Sequence, residues 1–247
     1  PLCQPDKKNI QTLKKITKQK KIKFFVGYNH TVSSGIKYLI SCINKSKIGK
    51  INSIDIDWRE HWQGILNAHP WLNGPNNSYL GYWQRGGGAL AEHSHGMNLL
   101  VYFLDIFNLG KPKYLFSCNE YSYEKKCNFD KISLTNIETD KNLFARVSHD
   151  VVTNPPKKSI TIYGSAGIIS WKYNSSNNNE TVILDNNKKI NKTFIKNRSD
   201  DFFEELKHIR NVKNYNLSPI NINYGIQTMN LLYKSHKSAK EKKIQKI

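Results

Sequence analysis

The segment of this chain with the most chemistry in it is Trp83-Gln-Arg-Gly-Gly-Gly-Ala-Leu-Ala-Glu-His-Ser-His-Gly-Met-Asn98. Three consecutive glycines let the backbone approach a ligand or a neighbouring element closely, and they open into residues of helical periodicity whose first turn has free N–H groups. Glu92 and His95 are three residues apart, as are His95 and Asn98, so the spacing predicts all three on one helix face, with His93 pointing elsewhere. A carboxylate beside an imidazole orients the ring and raises its basicity, and such a histidine takes a proton from a hydroxyl near neutral pH. The bland alternative is a flexible turn followed by a hydrogen-bonded structural histidine. A metal site is not expected, because His-x-His on a helix splays its rings and no third ligand stands at a defined spacing.

An aromatic and polar stretch leads into that segment, with His61, Trp62, His69, Trp71, Tyr79, Tyr82, Trp83 and Arg85. Flat rings with interspersed donors suit a sugar-like ligand, whose C–H faces stack while its hydroxyls hydrogen-bond. His69, Trp71, Tyr82, Trp83, Arg85 and Asn98 are therefore the candidate substrate contacts. About half of the aromatics are expected in the core.

The elements that must hold these residues are read from periodicity. Helices are predicted over 6–18, with Asp6 as N-cap, and over 33–44, with Ile36, Leu39, Ile40 and Ile43 as its apolar stripe. Between them, 22–28 has the length and composition of a buried strand. Residues 51–60 alternate, with Ile54, Ile56 and Trp58 on one face against Asp55, Asp57 and Arg59 on the other. The connection 61–88 is long enough to be functional. A helix over 89–108 follows. Strands over 114–118, 132–138, 143–152, 159–163, 168–173 and 181–184, separated by polar turns that include Asn154-Pro-Pro156, predict a mostly antiparallel sheet. Helices over 199–210 and 222–234 close the chain. The fold class is α+β, a largely antiparallel open sheet with flanking helices.

Composition limits the function classes. Among 247 residues, 38 Lys+Arg stand against 19 Asp+Glu, a formal charge of +19, but arginine occurs only at 59, 85, 146, 198 and 210. Nucleic-acid binders place arginine at phosphates and bases, so overused lysine, asparagine and isoleucine point instead to biased composition and solvated lysines, with no nucleic-acid partner. No run approaches the ~18 apolar residues of a membrane span, and residues 1–23 are polar where a secretory signal needs an apolar stretch, so a cytoplasmic protein with no membrane partner is expected. Cys3, Cys42, Cys118 and Cys127 form no CxxC pair and are read as reduced thiols.

Taken in order, several motifs resemble the Gfo/Idh/MocA oxidoreductases, which use NAD or NADP on sugars, sugar nucleotides and cyclitols. Pro1-Leu2 resembles the end of the family's Glu-Lys-Pro motif, and Phe25-Val-Gly-Tyr-Asn-His30 its last cofactor-domain strand with a crossover asparagine, Asn29. Ile48-Gly-Lys-Ile51 resembles the turn into the second domain, 86–98 the glycine-rich acid and histidine helix in its Ser-His variant, Tyr163-Gly-Ser-Ala-Gly167 a family hairpin, and 235–247 the closing segment. The resemblance implies that 1–30 is the remnant of a Rossmann domain and 31–247 a substrate-binding, catalytic and oligomerisation domain. It implies His95 as general base and acid with Glu92 orienting it, Asn29 and Pro1 on the cofactor side, and a dimer or tetramer through the sheet face. The family's nucleotide turn and catalytic lysine would precede Pro1. Glu92 and Asn98 stand where aspartates are common, and the commoner histidine position falls on Gly96. A non-catalytic carbohydrate-binding or assembly module on the same fold is the alternative.

Overall fold

Alternating apolar and polar residues make Ile51–His61 a strand, β1, at the middle of a nine-stranded sheet. The structure, a computed structural model, describes residues 2–20, 22–123, 126–197 and 199–247. The other strands are β2 (Pro112–Ser122), β3 (Phe129–Thr139), β4 (Phe144–Asp150), β5 (Val152–Gly164), β6 (Gly167–Asn174), β7 (Asn179–Asp185), β8 (Lys189–Phe194) and β9 (Gln245–Lys246). Their order is β8-β7-β6-β5-β1-β4-β3-β2-β9, with β1 and β4 parallel and the other pairs antiparallel. The expected α+β class and mostly antiparallel open sheet are both present.

Helices α1 (Lys7–Lys20), α2 (Ser34–Asn44), α3 (Trp62–Asn67), α4 (Gly88–Glu92), α5 (His95–Ile106), α6 (Asp200–Asn211) and α7 (Ile222–Glu241) accompany the sheet. Asp6 starts α1 by accepting the Asn9 N–H at 2.8 Å, and Asn221 starts α7 by accepting that of Asn223 at 2.8 Å. One sheet face is covered by α2, α5 and α7, so that Ile36, Leu39, Leu100 and Leu232 meet Ile54, Ile56, Val147 and Ile160 in a single core. The opposite face is uncovered. It carries Phe116, Leu134, Phe144 and Ile168 among the ion pairs Asp55–Arg146 and Asp57–Lys157.

Several local expectations change. Residues 22–28 form no sheet strand: Phe25 makes a single bridge to Asn221, Ile22 and Phe24 are exposed, and Val26 and Tyr28 pack with Val32 and Ile220. A strand needs a long partner, and among the described residues only the short segment before α7 lies alongside. The connection 61–88 is built rather than loose, containing α3 and 3-10 turns at 75–77, 79–81 and 83–85. Pro155 and Pro156, expected in a turn, lie inside β5. There Arg59 pairs with Lys157 but His61 pairs with Val152, so the ladder is interrupted where prolines have no N–H to give. β8 and β9 are polar edge strands without an apolar period to announce them.

The predicted helix over 89–108 is two helices. α4 ends at Glu92, and α5 begins at His95 after the His93-Ser94 corner. Among the described residues no helix is long and apolar enough to cross a membrane.

Candidate functional site

Cross-strand register assembles the site. Trp58 of β1 pairs with Lys158 of β5, Lys158 with Tyr173 of β6, and Tyr173 with Glu180 of β7. On the other side Trp58 pairs with His149 of β4 and His149 with Ser133 of β3. Side chains alternate along a strand, so this row shares the covered face of the sheet. It lies one step beyond the apolar rows, where the core gives way to polar groups.

Two elements sit over the row. The 3-10 turn Asn29–Val32 brings in His30, whose ring lies 5.0 Å from Trp58 and 6.1 Å from Tyr173. The first residue of α5 brings in His95, stacked at 5.9 Å on Trp58 and edge-on to His30 at 5.1 Å and Tyr28 at 5.5 Å. Gly96 follows because a Cβ there would lie 3.1 Å from the Trp58 Cβ and 3.3 Å from His149 Nε2. Any side chain at position 96 would press on the Trp58 Cβ and the His149 ring, whereas position 95 points at the aromatic and charged cluster.

Charged groups complete it. Lys158 pairs with Glu60, two residues beyond Trp58 on the same face of β1, and its ammonium lies 5.5 Å from the Trp58 ring and 5.4 Å from that of Tyr173. Lys196 bonds Glu180 and Asp201 at 2.6 Å each and lies 5.2 Å from the same tyrosine. Glu180 is fully buried and also accepts the Gly35 N–H at the start of α2 at 2.7 Å. Gly35 is required there, since a Cβ would lie 2.3 Å from the Glu180 carboxylate.

Burial, assisted by the Lys158 charge, holds the His95 imidazole down to about 3, and the same two causes hold His30 well below its ordinary range. Burial opposes ionisation of Glu60, but Lys158 and the nearby imidazoles outweigh it and bring the carboxyl to about 2. The site therefore presents neutral imidazoles beside the Lys158–Glu60 pair. His95 is less basic than a free imidazole, the reverse of the effect expected from a neighbouring carboxylate, because burial and Lys158 outweigh Glu60. His30 Nδ1, His93 Nε2, His95 Nδ1 and both His149 nitrogens are buried without hydrogen-bond partners. Such capacity is normally filled, so its concentration here marks a place where a bound molecule or water would be held.

The sequence-predicted residues divide between this site and other places. His95 belongs to it. Glu92 lies at the end of α4 and accepts a hydrogen bond from the Tyr79 hydroxyl at 3.0 Å, and the carboxylate whose field reaches His95 is that of Glu60. Asn98 is fully buried, accepting from Thr31 at 3.0 Å and donating to Thr228 at 3.3 Å, a tie between the 3-10 turn, α5 and α7. Trp83 stacks on His236 at 4.5 Å, and His236 shares a 2.7 Å hydrogen bond with Tyr121, in a separate cleft beside α7. Arg85 lies over the Tyr82 ring at 4.3 Å, while Trp71 is 72 % exposed beside His69. Asn29 is buried and accepts the His30 N–H at 2.9 Å, and Pro1 lies outside the described residues.

Sequence reasoning passed over Glu60, Lys158, Tyr173, Glu180, Lys196 and Asp201. A signal existed for three of them. Trp58-Arg-Glu60, Lys158-Ser-Ile160-Thr-Ile162 and Glu180-Thr-Val182-Ile-Leu184 each put a charge on the apolar phase of a strand.

The triple glycine is not a phosphate cradle. Gly86 (φ +91°) and Gly88 (φ +77°) take left-handed conformations, a Gly87 Cβ would lie 2.2 Å from the Tyr79 carbonyl oxygen, and one at Gly88 2.0 Å from an Asp130 carboxyl oxygen. Asp130 already accepts the Leu90 N–H at 2.7 Å, filling the position an anion would take at this helix start. These residues do not fit a dinucleotide's phosphates.

The fold is that of the Gfo/Idh/MocA-type NAD-dependent oxidoreductases, as the resemblance implied. The WlbA dehydrogenase from Bordetella pertussis, solved with NADH and UDP-GlcNAcA, superposes with a TM-score of 0.67 at 16% identity, over 98% of this chain and 69% of its own. An inositol dehydrogenase homolog from Azotobacter vinelandii, solved with NADH and myo-inositol, gives 0.70 at 12% identity, over 97% and 68%. The super-repressor mutant of Gal80p from Saccharomyces cerevisiae gives 0.70 at 13% identity, over 96% and 68%. No family model and no curated protein matches the sequence.

The buried histidines make stability depend on pH. His95, His149 and His236 are each held at about 3 by burial, against an ordinary value of 6.5, so between these limits the unfolded chain binds more protons. Their contribution is complete above pH 6.5 and is lost as pH falls toward 3. Asp130, raised by burial to about 7, works in the opposite direction, losing its contribution as pH rises from 3.8 to about 7. The His95 Cε1 resonance is expected to stay flat from pH 8 down to 4 in an NMR titration. A midpoint near 6.5 would contradict its burial beside Lys158.

Proposed function

We propose that this chain is the substrate-binding half of an NAD(P)-dependent dehydrogenase acting on the CH–OH group of a sugar, sugar nucleotide or cyclitol. Residues 1–30 would end a nucleotide-binding domain, and 31–247 would form the substrate domain. The observation that supports this best is His95, a neutral imidazole stacked on Trp58 and facing a lysine and a carboxylate, on a fold shared with dinucleotide-dependent oxidoreductases. Neutral His95 accepts the proton of the substrate hydroxyl as the C–H bond is oxidised, and returns it in the reverse direction. A bound nicotinamide supplies the hydride acceptor. Lys158 offers a hydroxyl-binding donor, Trp58 backs the base, and the Tyr173 ring flanks the lysine while its hydroxyl donates to Asn178.

No cofactor-binding step is assigned to the described residues, since the Gly86–Gly88 turn is already filled by Asp130. A non-catalytic module on the same fold is the second reading, favoured by the likeness to Gal80p, which its name describes as a repressor. Turnover separates the two. In the full-length protein, which joins this half to its nucleotide-binding domain, and with nicotinamide cofactor and a panel of cyclitols and sugars, His95→Ala is expected to lower the oxidation rate by about 10²-fold or more. Unchanged turnover would remove His95 from the mechanism, and no turnover by the full-length protein would favour the module.

The uncovered sheet face, with Phe116, Leu134, Phe144 and Ile168 exposed, is proposed to bury itself against a second copy, giving a dimer or tetramer. Light scattering at micromolar concentration should report that mass. A monomer would contradict it.

A further inference from the structure

The chain carries a formal charge of +19, yet the described lysines around His95 are all paired with carboxylates. Lys158 is closed by Glu60, and Lys196 by Glu180 and Asp201, so two ammonium groups face three carboxylates. Burial raises the Asp201 carboxyl, partly offset by Lys196, which leaves the cluster neutral or slightly negative. The facing imidazoles of His30, His93 and His95 add no charge near neutral pH, because burial holds all three low. Tyr28, on the remaining side, is raised by burial to about 12 and is also neutral.

This balance has a chemical consequence. The Lys158 side chain is only 14% exposed, and its carboxylate partner is in contact. A substrate carboxylate or phosphate placed against that pair would bring a second anion beside Glu60 in a desolvated setting, where the described lysines, Lys158 and Lys196, are already paired with carboxylates. A hydroxyl meets no such penalty. Lysine has three donors and a carboxylate several acceptor sites, so a group that both donates and accepts can bridge the existing pair.

From this we infer that Glu60 sets the charge class of the substrate: by neutralising Lys158 it selects a molecule presenting uncharged hydroxyls to His95 and rejects one presenting a carboxylate or phosphate there. Discrimination of this kind works through an unfavourable juxtaposition built against the wrong ligand. The inference rests on the reading of the His95 cluster as the substrate site. It assigns Glu60 a specificity role and leaves proton transfer to His95.

The test is a titration of the protein with myo-inositol, glucuronate and acetate, read from the His95 resonances and the binding curves, in the parent, Glu60→Gln and Glu60→Gln/Lys158→Met forms. The parent is expected to bind myo-inositol at least roughly tenfold more tightly than glucuronate and to show no response to acetate. Glu60→Gln frees the ammonium and should raise affinity for both anions by roughly tenfold or more, a gain that the added Lys158→Met removes. Parent protein that binds glucuronate as tightly as myo-inositol, or responds to acetate, overturns the inference and leaves the sugar reading intact. So does a folded Glu60→Gln form without the gain. If the parent binds neither sugar while Glu60→Gln captures both anions through Lys158, the charge assignment stands and the polyol reading falls.

Discussion

The register between β1 and β5 is the constraint on which the site depends. With Trp58 opposite Lys158, the next pairings place Tyr173 and Glu180 in the same row and face, and the parallel pairing with β4 adds His149. A slip of β1 by one residue would send Trp58 and Glu60 to the uncovered face and bring Asp57 and Arg59 inward, away from Lys158, Tyr173 and His149. Register is fixed by the apolar residues that precede the row on each strand, Ile54 and Ile56 against Ile160 and Ile162, all of them buried. Core packing and site assembly are thus one energetic event. Isoleucines that bury apolar surface also aim the charges.

The cost of placing those charges is met locally. Each lysine at the site has a carboxylate, Glu180 has a backbone N–H as well as Lys196, and the imidazoles stay neutral. Buried pairs of this kind contribute little net stability, because desolvation offsets their attraction. Their retention is better explained by what they position. The unfilled nitrogens of His30, His93, His95 and His149 fit the same view, since hydrogen-bonding capacity without a partner is costly unless something binds.

Much of the fold was legible from periodicity and capping. Asp6, the Ile36 and Leu39 stripe, the alternation of Ile54, Ile56 and Trp58, and the succession of strands after 112 all carried their elements. The break at His93-Ser94 was not visible, because α4 and α5 are both apolar and helical. At the site, His95 was found through a local motif, whereas Lys158, Tyr173 and Glu180 join it only through the long-range pairing of β1 with β5 and the hairpins that follow. The aromatic stretch misled in part. Trp83 stacks in a cleft with His236 and Tyr121, and nothing in its spacing separates that cleft from the one at Trp58.

The central claim is that a polyol binds over the Trp58 row and not in the Trp83 cleft. The direct measurement is an NMR map of the labelled protein during addition of myo-inositol. The account predicts saturable shifts at His95, His30 and Tyr173 with Trp83 and His236 unmoved. Shifts centred on Trp83 and His236, with His95 silent, would contradict it.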